Sequence, residues 1–165
     1  MQNKWSEFRL RVNINAPIGT IYNAWSTGDG LTSWFLRKAA FTATGGNSKR
    51  GSEAVEQGDQ YEWLWHGYPD SIVEKGKILS ANGKDKISFT FSLGCPVTIS
   101  IYPQSDESIV ELVESNLPTD EVNMLKHYVG DSKGWIFYLT NLKSVLEGGL
   151  DLRNKKLELT DVITS

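Results

Sequence analysis

S-K-G-W-I-F-Y-L-T-N-L-K-S-V-L-E-G-G-L-D-L, residues Ser132 to Leu152, is the longest helical signal in the chain. Trp135, Leu139, Leu142 and Leu146 recur at steps of four, three and four, which sets them on one face. Lys133, Thr140, Lys143 and Glu147 fall between them and point away. Asp131 or Ser132 can cap the start with a side-chain oxygen, and Gly148-Gly149 supplies a left-handed stop. About 15 residues at about 1.5 Å each make a rod of roughly 22 Å, long enough to lie across a sheet. A helix that is apolar on one side needs an apolar partner, and the rest of the chain must supply it.

Upstream, the pattern changes from period 3.6 to period 2. Trp5 to Ile14 alternates Phe8, Leu10, Val12 and Ile14 against Arg9, Arg11 and Asn13, which predicts a half-buried strand. Ala16-Pro17 ends it, and Pro17 suits a helix start. Ile18 to Ser26 and Leu31 to Phe35 read as two short helices separated by Gly28-Asp29-Gly30, with Asp29 or Thr32 near the start of the second. A weak strand follows around Phe41, then a polar, glycine-bearing segment, Gly45 to Gly58, expected to be a mobile loop. Further strands are predicted over Gln60–His66, Ser71–Ser80, Lys86–Leu93, Val97–Tyr102 and Ile109–Ser115, with Asn82-Gly83 as a tight-turn signal. The intervals are too short for helical crossovers, so the sheet is predicted to be antiparallel. The order is strand, two short helices, six strands and one long helix. This gives an α+β fold, with a curved antiparallel sheet of about seven strands wrapped around the C-terminal helix.

Bulk properties narrow the function classes. The 165 residues suggest one domain, with a core spanning about residues 8–153. A net charge of −3 argues against nucleic acid and anionic membrane surfaces as partners, because no basic excess exists to neutralise phosphates. One cysteine, Cys95, excludes an internal disulfide framework and fits a reducing compartment. The opening M-Q-N-K-W-S-E-F-R-L-R carries no apolar run of the signal-peptide kind, and no stretch approaches the roughly 18–20 apolar residues that cross a bilayer. A cytoplasmic location without membrane insertion is expected.

Several motifs are ordered as in a known family. A-P-x-x-x-I-Y-x-A-W (Ala16 to Trp25), L-T-S-W-F (Leu31 to Phe35), Y-E-W-L-W (Tyr61 to Trp65), E-K-G-K-I-L (Glu74 to Leu79) and K-I-S-F-T-F (Lys86 to Phe91) precede G-W-x-x-Y-L-x-N-L-K-x-x-L-E-x-G-x-D-L-R (Gly134 to Arg153). The chain thereby resembles the START-like (SRPBCC, helix-grip) superfamily and, within it, bacterial homologues of the activator of the heat-shock protein 90 ATPase. The resemblance implies a deep pocket between sheet and helix, used in the superfamily for apolar molecules. Eukaryotic activators carry a separate N-terminal domain and an asparagine-rich, tryptophan-bearing motif, to which nothing here corresponds. The resemblance therefore carries the fold and the pocket further than it carries chaperone activation.

Candidate pocket residues follow from strand and helix parity. Trp63, Trp65, Phe89, Phe91, Ile99, Ile101 and Leu112 lie on sheet faces that could line it. Trp25, Trp34 and Phe35 could close its mouth, and Trp135, Leu139 and Leu142 could form its roof. Each also reads as ordinary packed core, since aromatic side chains fill volume efficiently. Glu114 shares the parity of Val110 and Leu112, so it either points toward the pocket with a raised pKa or lies past the strand end in water. It is the one candidate acid or base, with Tyr61 or Tyr138 as helpers. His66 is expected to face solvent, opposite Trp63 and Trp65, and His127 to belong to the approach to the long helix. No metal site and no cofactor are expected, because neither histidine has ligand spacing to Cys95 or a carboxylate. The expected function is non-catalytic binding of a small hydrophobic molecule between sheet and helix. The alternatives are a protein-interaction module, co-chaperone-like or a homodimer, and an enzyme acting on a hydrophobic substrate through Glu114.

Overall fold

The sheet predicted from the alternating segments has seven strands, and the computed structural model describes residues 4–163. They are β1 (Glu7–Ile14), β2 (Lys38–Thr42), β3 (Gln60–Leu64), β4 (Glu74–Ala81), β5 (Lys86–Phe91), β6 (Cys95–Gln104) and β7 (Glu107–Ser115). The spatial order is β1-β7-β6-β5-β4-β3-β2, and every neighbouring pair is antiparallel. Consecutive strands pair from β2 through β7, with short turns joining them from β4 onward and longer connections before that. β1 closes the far edge against β7. Two short helices, α1 (Ile18–Ser26) and α2 (Gly28–Trp34), sit between β1 and β2.

β6 shows why one face is the core. Cys95, Val97, Ile99 and Ile101 are buried and the residues between them are half-buried. Cross-strand partners continue the inner face, with Ile99 opposite both Ile87 and Leu112, and Val97 opposite both Phe89 and Glu114. At about 25 cal/mol per Å² of apolar area removed from water, this layer and the helix on it supply most of the driving force for folding.

The long helix begins earlier than the sequence suggests. One α-helical turn, α3 (Glu121–Asn123), leads into a π-helical segment (Met124–Val129) and then into α4 (Gly130–Leu146) without a break. The cap is therefore Asp120, whose side chain accepts from the Asn123 amide at 3.2 Å, rather than Asp131 or Ser132. The wider π turn shifts the helical phase, so a search at period 3.6 loses the pattern there. The C-terminal end is as expected. Gly148 has φ +77° and its amide bonds to the Val145 carbonyl. α4 buries Trp135, Tyr138, Leu139, Asn141 and Leu142.

Three other local expectations change. α2 starts at Gly28, so Gly28-Asp29-Gly30 lies inside the helix. Its cap is Thr27, whose Oγ1 accepts from Gly30 N at 2.9 Å. A Cβ on Gly30 would lie 2.2 Å from the Asn23 carbonyl oxygen, which explains the glycine in a helix as a close approach of α1. The segment Gly45 to Gly58 is tied down rather than loose. Lys49 bonds to the nearly buried Asp59 at 2.8 Å and to the Ala54 carbonyl at 2.9 Å, and Val55 is buried. β4 starts at Glu74, which leaves residues 65–73 as an irregular connection.

The chain after α4 folds back and fastens it to α2. Asn141, fully buried, donates to the Trp34 carbonyl at 2.6 Å and accepts from the Leu152 amide at 2.7 Å. Arg153 donates to the carbonyls of Thr32 and Ser33, in the last turn of α2, and of Leu36 just beyond it, and pairs with Asp151. That pairing, together with Lys155, holds the Asp151 carboxyl well below the usual range against the effect of burial. No helix among the described residues is long and apolar enough to cross a membrane.

Candidate functional site

Most of the space between helix and sheet is filled. Trp25 and Trp34 meet edge to face with centroids 4.6 Å apart, Trp63 stacks on Tyr61 at 3.8 Å, and Phe89 packs 5.3 Å from Trp63. Trp25, Trp34, Trp63, Phe89, Ile99, Ile101, Leu112, Leu139 and Leu142 thus all lie in the packed core. Large aromatic side chains occupy the volume that the resemblance implied would be a deep pocket.

One end stays open. Between the start of α4 and the edge of β5 lies a cleft of about 200 Å³. Of the residues read from sequence as pocket candidates, Phe35, Trp65, Phe91 and Trp135 line it. Tyr68 and Ile72 come from the irregular connection after β3, and Tyr138 from α4. Phe35 is a hub within this wall, 5.1 Å from Trp135, 4.8 Å from Tyr138 and 5.9 Å from Trp65. Gly130 and Gly134 complete the helical side, one turn apart, with nothing within 4 Å of where a Cβ would stand. The helix backbone is bare there, and the missing side chains are what leave the cleft open. Gly134→Ala is expected to stabilise the fold by about 0.5–1 kcal/mol through helix propensity, measured by urea denaturation, while narrowing the cleft.

A polar cluster lies at the inner end. Glu114 is fully buried beneath Trp135, whose Nε1 donates to Glu114 Oε2 at 2.9 Å. The inward parity read from sequence therefore holds, and the alternative position in water does not. Burial, reinforced by the neighbouring Asp131 charge, pushes the Glu114 carboxyl up to about 8. Burial also raises Asp131, although hydrogen bonds from Ser92 and the nearby His127 imidazole pull it back. Glu74 is raised as well, by burial and then by Asp131. Glu114 Oε1 and Asp131 Oδ2 have no donor of their own among the described residues. Two neighbouring buried carboxyls of this kind resist ionising together.

His127, expected only in the approach to the helix, is buried in the π segment. Its Nδ1 lies 2.8 Å from Ser92 Oγ and 3.6 Å from Asp131 Oδ2. Ser92 belongs to the β5–β6 turn, where Ser92, Leu93 and Gly94 all have positive φ, a costly conformation for the first two. His66 is half-buried, remote from this cluster and near Arg37, Arg153 and Lys155. Burial and those cations lower its pKa. Cys95 is buried, and burial raises its thiol pKa, so it is inert as a nucleophile. No group of three or more histidine, cysteine or acidic side chains among the described residues is placed to hold a metal ion.

Sequence reasoning missed Asp131 as a site residue, along with Tyr68, Ile72, Gly130 and Gly134. Two glycines four apart at the start of a strong helix were a legible signal, because each costs helix propensity with no turn to justify it.

Comparison with known proteins agrees with this architecture. The family described as "Activator of Hsp90 ATPase homolog 1-like protein" matches residues 15–147. No curated protein is a significant match. Among solved structures, protein SSP2350 of Staphylococcus saprophyticus superposes with a TM-score of 0.70 at 21% identity, covering 89% of this chain and 96% of that one. The Aha1 dimer of Colwellia psychrerythraea gives 0.65 at 18% identity, with 87% and 97% covered. DynU16, from the dynemicin biosynthetic locus, gives 0.67 at 17% identity, with 91% of this chain and 50% of that one covered. At these identities the likeness is one of fold.

Proposed function

This chain belongs to the family of activator of Hsp90 ATPase homologue 1-like proteins, and on that premise we propose that it binds a small, largely apolar molecule in the cleft beneath α4. The observation that carries this reading is the bare backbone at Gly130 and Gly134 facing a wall of aromatic side chains. A concave, mostly apolar wall with one polar group is the usual form of a small-molecule site. The volume sets the ligand class. About 200 Å³ exceeds the roughly 150 Å³ that holds benzene in an engineered cavity, and falls short of the roughly 300–1,000 Å³ of drug-sized sites. One or two rings fill it, and a longer molecule would extend from it into solvent.

Indole is a suitable probe. Added to the isotope-labelled chain, it is expected to shift the amide signals of Gly130 and Gly134, and Gly134→Phe, which fills the cleft, is expected to abolish the response. Equal shifts in the variant, or shifts confined to residues outside the cleft, would contradict the proposal.

A second reading has its own support. Val122, Leu125, Val129 and Ile136 form an exposed apolar stripe along the outer side of the long helix. A single copy leaves this stripe in water, and a second copy of the chain would cover it in a two-fold arrangement. The Colwellia psychrerythraea relative was solved as a dimer. Sedimentation at micromolar concentration tests it: a dimer that Leu125→Glu converts to monomer supports this reading, and a monomer in the parent chain ends it.

A further inference from the structure

We infer that the ligand of this cleft is an organic cation, a small amine or quaternary ammonium carried on a one-ring apolar body. The inference rests on the cleft being a binding site and adds the chemistry of what it selects. Asp131 is the only charged residue among the ten that line the cleft. Its carboxyl is 18% exposed, and that exposure is toward the open space at the start of α4. A neutral apolar ligand would strip the remaining water from the partly exposed carboxyl and offer no charge in return, which is costly. A cationic head supplies a partner from the cleft side, in addition to His127 behind it.

The walls favour the same occupant. Phe35, Trp65, Tyr68, Phe91, Trp135 and Tyr138 surround the space, and aromatic ring faces carry the negative side of the ring quadrupole. Among the described residues no lysine or arginine lines the cleft. Of the groups packed behind Asp131, Glu114 of β7 is held largely protonated near neutral pH, Glu74 of β4 is raised, and Cys95 of β6 and Tyr61 of β3 bear no charge there, so none of them adds positive charge. Against these stands one basic side chain, His127, set behind Asp131 in the π-helical segment and not in the cleft wall. The site therefore repels an anion and attracts a cation, and the ring wall gives the cation's apolar body a place to pack.

Two isosteres separate charge from shape. Phenyltrimethylammonium and tert-butylbenzene have nearly the same outline, and only the first carries a charge, which does not titrate. By calorimetry with the full chain near pH 7.5, phenyltrimethylammonium is expected to bind about tenfold tighter or more than tert-butylbenzene. Asp131→Asn, which keeps the side-chain shape, is expected to remove most of that preference, by weakening phenyltrimethylammonium and by relieving the desolvation cost that tert-butylbenzene bears in the parent chain. The parent-chain comparison needs no variant, so it stands even if Asp131→Asn folds poorly. Equal or tighter binding of tert-butylbenzene to the parent chain would overturn the cation inference and leave the apolar cleft intact. Binding of neither compound would overturn the cation inference as well, and the indole response at Gly130 and Gly134 then decides separately whether the cleft is a site. A cation preference that survives both Asp131→Asn and Gly134→Phe would place the cation elsewhere on the surface and also overturn it.

Discussion

Replacing Trp135 with alanine is expected to destabilise the fold by about 3–5 kcal/mol, read as a fall in the urea midpoint without a change in slope. The indole is 2% exposed and contacts four other rings, with centroids 5.1 Å from Phe35 and Phe91, 6.0 Å from Trp25 and 6.4 Å from Phe89. It joins the packed core to the open cleft, so its removal merges the two. Its Nε1 also donates to Glu114 Oε2 at 2.9 Å. Trp135→Phe separates these contributions. It keeps an aromatic ring in the core and deletes the donor, and its expected cost is about 1–3 kcal/mol. A loss below about 1 kcal/mol for the alanine variant would mean that the indole borders space more than it fills core.

The second large effect is on the pH dependence of stability. Folding raises the Glu114 carboxyl from an ordinary value near 4.5 to about 8. Between those values the folded chain holds a proton that the unfolded chain has released. The contribution of this group is therefore complete below about pH 4.5 and is lost as pH rises toward 8, at about 1.4 kcal/mol per pH unit, and it levels off above that. Asp131 and Glu74 are raised too and act in the same direction. Asp151 works in the opposite sense, but only in acid, because its pKa is depressed by Arg153 and Lys155. Glu114→Gln mimics the protonated form, and its amide can both accept from Trp135 and donate to Asp131. The variant is expected to lose most of the decline between pH 5 and 8 and to exceed the parent chain by on the order of 3 kcal/mol at pH 8. Thermal or urea denaturation across that range measures it. A parent chain that gains stability from pH 5 to 8 would contradict the buried-acid assignment.

The same carboxyl shows what could be read from residues alone. The parity of Val110, Leu112 and Glu114 offered an inward direction beside a position in water past the strand end, and pairing with Val97 within the sheet decides for the first. Its neighbours were not legible, because Asp131 and His127 reach it through a π-helical segment whose phase no fixed-period search follows. The sheet, the two short helices and the buried face of the long helix were readable, since alternation and the Trp135, Leu139 and Leu142 spacing are direct consequences of strand and helix geometry. The distinction between filled and open space was not. Trp63 and Trp65 share a face two residues apart, yet the first is locked in a stack with Tyr61 and the second borders the cleft. That difference depends on where the connection after β3 places Tyr68 and Ile72, and residue spacing does not encode it. Gly130 and Gly134 carried the clearest missed signal.

The most direct test of the cleft as a binding site is the electron density inside it, in crystals of the chain purified without extraction or refolding. Density for a compact one- or two-ring molecule between Trp65, Phe91 and Trp135, with a polar end directed at Asp131, is the expected result. A cleft closed by the Trp65 or Tyr68 side chain in every crystal form would contradict it.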